Sequence, residues 1–219
     1  MIRNVARNVW QICTFPPNAI NAYLVEDVLI DCGTRWDAKR LLRAVDGVDL
    51  KLVALTHVHP DHQGSAKAIC ETRRCLLACH EADRAAMEGR EPMGPPGRAI
   101  RFSSNMMAGP PHPVDRVLKD GDEIAGFRVI ETPGHTMGHV IFFREFDRVA
   151  IAGDVATSMN LFTTLPGLHE PPKFFCVDAA LNRHAIRRLA ALNPETVLFG
   201  HGPPWRDPDK LNRFAGRLT

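Results

Sequence analysis

The chain has 219 residues, 45% of them hydrophobic and 24% charged, with a formal net charge of +2 at pH 7. That length and apolar content fit one domain over residues 1–219 with an ample core. No basic run marks a nucleic-acid partner, and no apolar stretch is long enough to span a bilayer, so neither partner is expected.

Residues 1–30 read as strand material, with a hairpin of Ala22-Tyr23-Leu24-Val25 and Val28-Leu29-Ile30 around Glu26-Asp27. Residues 37–45 read as a short helix with Leu41, Leu42 and Val45 on one face and Gly47 as its stop. Val53-Ala54-Leu55 is the next strand. A helix over 65–71 follows, with Ser65 as its cap, then a strand Leu76-Leu77-Ala78 and a helix over 81–88. This alternation is the rhythm of an α/β layered fold. Residues 90–113 break it. Prolines and glycines interrupted by Phe102, Met93, Met106 and Met107 read as a long loop serving as a lid or pocket wall. Strands are then expected at 114–118, 127–130, 140–143 and 149–152. A second irregular region spans 155–177 and is rich in Leu, Phe and Met. The clearest helix covers 178–192, and Thr196-Val197-Leu198-Phe199 is the last strand.

The N-terminal segment from Met1 has no apolar signal core behind it, which favours the cytoplasm. The six cysteines, at 13, 32, 70, 75, 79 and 176, form no paired CxxC motif. Reduced, mostly buried thiols are expected.

Chemistry concentrates in Thr56-His57-Val58-His59-Pro60-Asp61-His62. In an extended segment, residues i and i+2 point to the same side, so His57 and His59 can share one ion. After the turn at Pro60, Asp61 and His62 can aim at a second position nearby. His135, Asp154 and His201 recur in the same context, each just after an apolar strand and a turn. Strand ends converge on one edge of a sheet, where α/β architectures place their sites. The remaining histidines take plainer readings: His139 as a neighbour that orients a ligand, His80 as a structural hydrogen-bonder, His112 and His169 as loop residues, and His184 as structural or exposed. Asp31 reads as a residue that bonds the backbone at a strand-to-loop turn.

Taken in order, His57-x-His59-x-Asp61-His62, Pro133-Gly134-His135-Thr136, Gly153-Asp154 and Gly200-His201-Gly202 resemble the metallo-β-lactamase superfamily. The resemblance covers residues 20 to 205. It implies an α/β (α+β) fold, the αββα four-layer sandwich, with two metal ions in a groove at its edge. By the same resemblance, His57, His59 and His135 bind one ion, Asp61, His62 and His201 bind the other, and Asp154 bridges them. The implied cofactors are two Zn²⁺, with Fe or Mn as alternatives. Asp61 is the implied catalytic residue, orienting a shared hydroxide or shuttling a proton. The implied activity is hydrolysis of a small carbonyl ester, thioester or lactone. The alternatives are an iron-dependent, persulfide dioxygenase-like oxidoreductase and a β-lactam hydrolase.

Two departures narrow the branch. Glyoxalase II is similar through Pro133-Gly134-His135-Thr136-x-Gly138-His139, but the 18 residues after His201 leave no room for its C-terminal helical domain. Quorum-quenching lactonases match in size and ligand set. The tyrosine they use near the substrate has no evident counterpart, since the only Tyr is Tyr23. The expected partner is a small-molecule substrate, with a homodimer as one possible assembly.

Overall fold

Period-two alternation sets the architecture, because successive strand residues face opposite sides. In β3 (Asn21–Val25), Ala22 and Leu24 enter one apolar cluster and Tyr23 and Val25 another. In β4 (Val28–Ile30), Leu29 opposes Val28 and Ile30 in the same way. Strands that are apolar on both faces need cover on both. The computed structural model, which describes residues 2–14 and 16–218, shows that cover as stacked layers. Met1, Phe15 and Thr219 lie outside the described residues.

The first sheet has the order β1 (Ile2–Ala6), β2 (Val9–Cys13), β3, β4, β5 (Leu52–Ala54), β6 (Leu76–His80), β7 (Arg116–Leu118). Neighbours run antiparallel up to β4 and parallel from β4 to β7. Parallel neighbours need crossovers. Here these contain α1 (Ala38–Ala44), the single-turn α2 (Pro60–Gln63) with α3 (Ala66–Arg73), and α4 (Glu81–Met87) with α5 (Arg98–Met107). Leu41, Ile69, Cys70, Ala86 and Met87 of these helices pack on the outer face of the sheet.

The second sheet has the order β14 (Thr196–Phe199), β11 (Val149–Gly153), β10 (Val140–Arg144), β9 (Phe127–Glu131), β8 (Glu123–Ile124). Its outer face is covered by α6 (Ala179–Ala191) and α7 (Pro208–Gly216) through Ile186, Leu189 and Leu211. Between the sheets lie Tyr23, Val25 and Ile30 from one side and Phe127, Phe142 and Ile151 from the other. Each fully buried side chain of this size contributes roughly 1.5–3 kcal/mol. The layers are therefore helix, sheet, sheet, helix, the expected four-layer α/β sandwich.

Several local expectations change. Residues 90–113 are not one loop, because α5 occupies Arg98–Met107. That stretch lies between Gly97 and Gly109 and contains neither Gly nor Pro, so its backbone is free to close a helix. The turn at Pro60 is the first position of α2, where a missing N–H costs no helical bond. Ser65 precedes α3 without capping it. Its hydroxyl donates instead to the Thr34 carbonyl at 2.5 Å. Residues 155–177 contain a hairpin of β12 (Thr157–Met159) and β13 (Pro166–His169), then a 3-10 turn at Lys173–Phe175. The six cysteines are buried and free, as expected.

Candidate metal centre

The expected site residues all follow C-terminal ends of strands. His57 and His59 follow β5, and Asp61 and His62 lie in the α2 turn immediately after. His135 follows β9, Asp154 follows β11 and His201 follows β14. Since β5 and β11 each run parallel to a strand that ends at the same edge, these loops meet. The structure brings all seven together. His57, His59 and His135 form one group of converging donor atoms, Asp61, His62 and His201 a second, and His57, His62 and Asp154 a third that joins them, with the atoms of each group within 4.8 Å of one another. Asp154 Oδ2 stands 3.0 Å from His201 Nε2 and 3.7 Å from His135 Nε2, and Asp154 Oδ1 stands 3.5 Å from His62 Nε2. Asp61 Oδ2 is 3.4 Å from His201 Nε2. Gly200 makes this approach possible, because a Cβ there would lie 2.2 Å from Asp154 Oδ1.

Four of the five candidate-ligand imidazoles, those of His57, His62, His135 and His201, are aimed by their far nitrogen. Asp31 accepts from the Thr56 N–H and hydroxyl, both at 2.8 Å, so the Thr56 oxygen is left to accept from His57 Nδ1 at 3.0 Å. The same Asp31 accepts from His62 Nδ1 at 2.9 Å. The backbone-bonding role expected of Asp31 therefore extends to orienting two rings. His201 Nδ1 bonds the Ala19 carbonyl, and His135 Nδ1 lies 3.5 Å from Cys176 Sγ. With the Nδ1 atoms engaged, the Nε2 lone pairs point inward. His139 behaves as expected. Its Nε2 accepts from the Asp154 N–H at 3.1 Å, and its Nδ1 is 2.8 Å from Thr132 Oγ1. His80 is structural as well, bonding the Ala82 N–H and Glu131. Tyr23 is buried and its hydroxyl donates to the Phe199 carbonyl at 2.6 Å, which steadies the turn before His201.

One residue escaped the sequence reading. Asp83 of α4 is buried and accepts from the Val58 N–H at 2.9 Å, the Thr136 hydroxyl at 2.7 Å and the Gly138 N–H at 2.9 Å. Val58 lies between His57 and His59, and Thr136 adjoins His135. A single carboxylate thus ties together the two loops that carry the all-imidazole group. The available signal was an acid in the first turn of a helix that begins at the same edge of the sheet.

The electrostatics divide the site. Burial holds His57, His59 and His135 below the ordinary imidazole value, and neighbouring rings add to this for His57 and His135. Burial also lowers His139, to about 3. Burial opposes charge on His62 and His201 too, but there the carboxylates outweigh it. Asp154 chiefly, with Asp31 and Asp61, raises His62, and Asp154 with Asp61 raises His201 to about 10. Burial likewise works against ionising Asp61 and Asp154, and the facing imidazoles His62 and His201 overcome it, so both carboxyls are lowered.

His57, His59, His62 and His135 leave Nε2 without a hydrogen-bond partner, and Asp154 leaves Oδ1 so. Buried polar atoms are normally paired, at a cost of about 1–3 kcal/mol each when they are not. Five such atoms facing one another, all of them lone-pair donors, fit divalent cations.

Residues 15–201 match the metallo-β-lactamase superfamily. The chain belongs to that superfamily. The probable metallo-hydrolase YflN of Bacillus subtilis (strain 168) is 31% identical over 88% of this chain and 82% of its own length. The hydroxyacylglutathione hydrolase of Acidiphilium cryptum (strain JF-5) is 29% identical over 75% of this chain and 56% of its own length. A solved structure, TTHA1623 in a di-iron-bound form, is 30% identical with a TM-score of 0.66 and covers 90% of this chain and 93% of that one. This superfamily member therefore carries the His/Asp metal-binding cluster of its fold, and its relatives support hydrolase activity in general. No helix among the described residues is long and apolar enough to cross a membrane.

Proposed function

We propose that the protein is a dinuclear metal-dependent hydrolase of a small carbonyl ester, thioester or lactone. The observation that carries this reading is the set of unpartnered, buried Nε2 and carboxylate atoms, of which those of His59, His135 and Asp154 belong to residues lining a cavity of about 320 Å³. His57, His59 and His135 would hold one ion, Asp61, His62 and His201 the other, and Asp154 faces both groups. Bound there, divalent ions bring the pKa of a water toward ~7 and polarise a carbonyl oxygen. Zinc fits the donor set, and the di-iron form of TTHA1623 makes iron the second candidate.

The chain's own residues prepare the site. Asp31 and Thr56 fix the tautomers of His62 and His57. Asp83 keeps the two loops of the all-imidazole group in register. Asp61 lines the cavity beside His201 and is held ionised, so a carboxylate oxygen would be available to accept a hydrogen bond from, and orient, a water near the scissile bond. The apolar walls exclude water from the carbonyl.

The test is a panel of aryl esters, thioesters and lactones run with metal-free and metal-reconstituted protein, with metal counted by mass spectrometry. Turnover appearing only with metal supports the reading. Turnover undiminished in metal-free protein contradicts it. Oxygen uptake on an iron-loaded sample, with no hydrolysis, would favour the oxidoreductase alternative.

A further inference from the structure

The cavity above the candidate ligands has an unusual charge pattern. Ile20, Ile100, Met107, Leu161 and Phe175 make most of its upper wall, contributed by the loop before β3, by α5, by the β12–β13 hairpin and by the 3-10 turn. Among the described residues, no lysine or arginine lines it. The cations of these elements, Arg98 and Arg101 of α5 and Lys173 of the 3-10 turn, are exposed and outside the lining. Two hydroxyls do line it, and both are already used. Ser103 donates to the Ile100 carbonyl at 2.9 Å, and Thr164 donates to the Thr163 carbonyl at 2.7 Å. The wall above the floor thus offers neither a positive charge nor a spare side-chain donor.

Resting on the hydrolase reading above, we propose that the substrate is uncharged around its scissile carbonyl and carries an apolar acyl arm, and that compounds with a carboxylate near that carbonyl are rejected. A carboxylate brought against this wall loses its hydration and finds no side-chain partner among the described residues, which is the costly outcome for a buried charge. Drawn instead to the ions that the floor would hold, it would take the place the carbonyl must occupy. An aliphatic arm gains from the same wall by leaving water. This separates the chain from hydrolases of glutathione thioesters and of β-lactams, whose substrates carry carboxylates.

The experiment compares octanoyl thioesters of N-acetylcysteamine, 3-mercaptopropionate and glutathione on metal-loaded enzyme, and calorimetric binding of the matching amides to metal-free protein. The neutral thioester is expected to lead in kcat/KM on the order of 10²-fold, the scale of one buried charge left unpaired. The neutral amide is expected to bind more tightly by a similar factor. Leu161→Lys, which places an ammonium on the wall, should narrow both gaps. Equal or better turnover and binding of the carboxylate-bearing members overturns the proposal. If no thioester is turned over, and no ester or lactone either, the hydrolase reading fails. The order of amide binding then still decides the charge preference, with neutral first supporting it and anionic first overturning it.

Discussion

The floor and the rim of the cavity are built on opposite principles. At the floor, most polar side chains are buried, and His57, His62, His135 and His201 are each held by a partner that fixes one ring nitrogen and leaves the other free. Asp31, Thr56, Asp83, His139 and Cys176 all serve this end. At the rim, Phe102 and Phe162, each next in sequence to a residue that lines the cavity, are exposed by 69% and 73%. A pre-organised floor suits chemistry that tolerates little displacement, whereas an adaptable apolar rim suits selection of what enters. Substitutions should therefore act differently in the two regions.

The largest effect is expected at the floor. Asp154→Ala or His57→Ala should abolish turnover and stoichiometric metal retention, with the circular dichroism spectrum unchanged. Metal analysis and a single-turnover assay on the same sample check this. The thermal stability of metal-free His57→Ala should fall by much less than a core deletion such as Phe142→Ala, which costs about 3–5 kcal/mol.

Asp83→Ala comes next. It strips a buried acceptor from Val58 and Gly138, and each orphaned N–H costs about 1–3 kcal/mol. Metal affinity should also fall about 10–100-fold, the usual effect of losing a group that supports ligands. Chelator competition and chemical denaturation measure the two parts. An unchanged affinity in a destabilised protein would reduce Asp83 to a structural role.

The seven candidate ligands were legible because each lies in a loop or turn that follows a strongly apolar strand, and the sheet then gathers strand ends at one edge. Asp83 was not, because an acid in the first turn of a helix reads as favourable to the helix dipole. Its true partners are 25 and 55 residues away in sequence. α5 was hidden for a different reason: the prolines and glycines on either side of it dominate the window. The layer order followed from apolar alternation, whereas Ser65 shows how a cap signal loses to a stronger acceptor, the Thr34 carbonyl.

A smaller, pH-dependent difference divides the floor itself. In metal-free protein, the lowered His57 and His135 contribute stability that is present above the unfolded value of about 6.5 and is lost as pH falls through their native values. The raised His62 and His201 do the reverse. Their stability is full below about 6.5 and is lost as pH rises through the native value, about 10 for His201. Metal-free protein should therefore be most stable near neutrality and lose stability on both sides, as denaturation midpoints against pH would show. Loading metal at neutral pH must expel the protons held by His62 and His201. Calorimetry in buffers of different ionisation enthalpy should detect that release, and His201→Ala should diminish it.

The smallest stability effect is expected at the rim. Phe102→Ala and Phe162→Ala should change stability by no more than about 0.5 kcal/mol, as exposed sites do. They should raise KM for a long-chain ester while leaving kcat and metal content alone. A fall in metal content would show that rim and floor are coupled.

The most direct test of the account is a metal titration of metal-free protein, following bound metal and ester or thioester hydrolysis together. The account predicts that hydrolysis is absent without metal and reaches its full rate only as a second ion per chain binds. Full activity at one ion per chain, or activity indifferent to chelation, would contradict it.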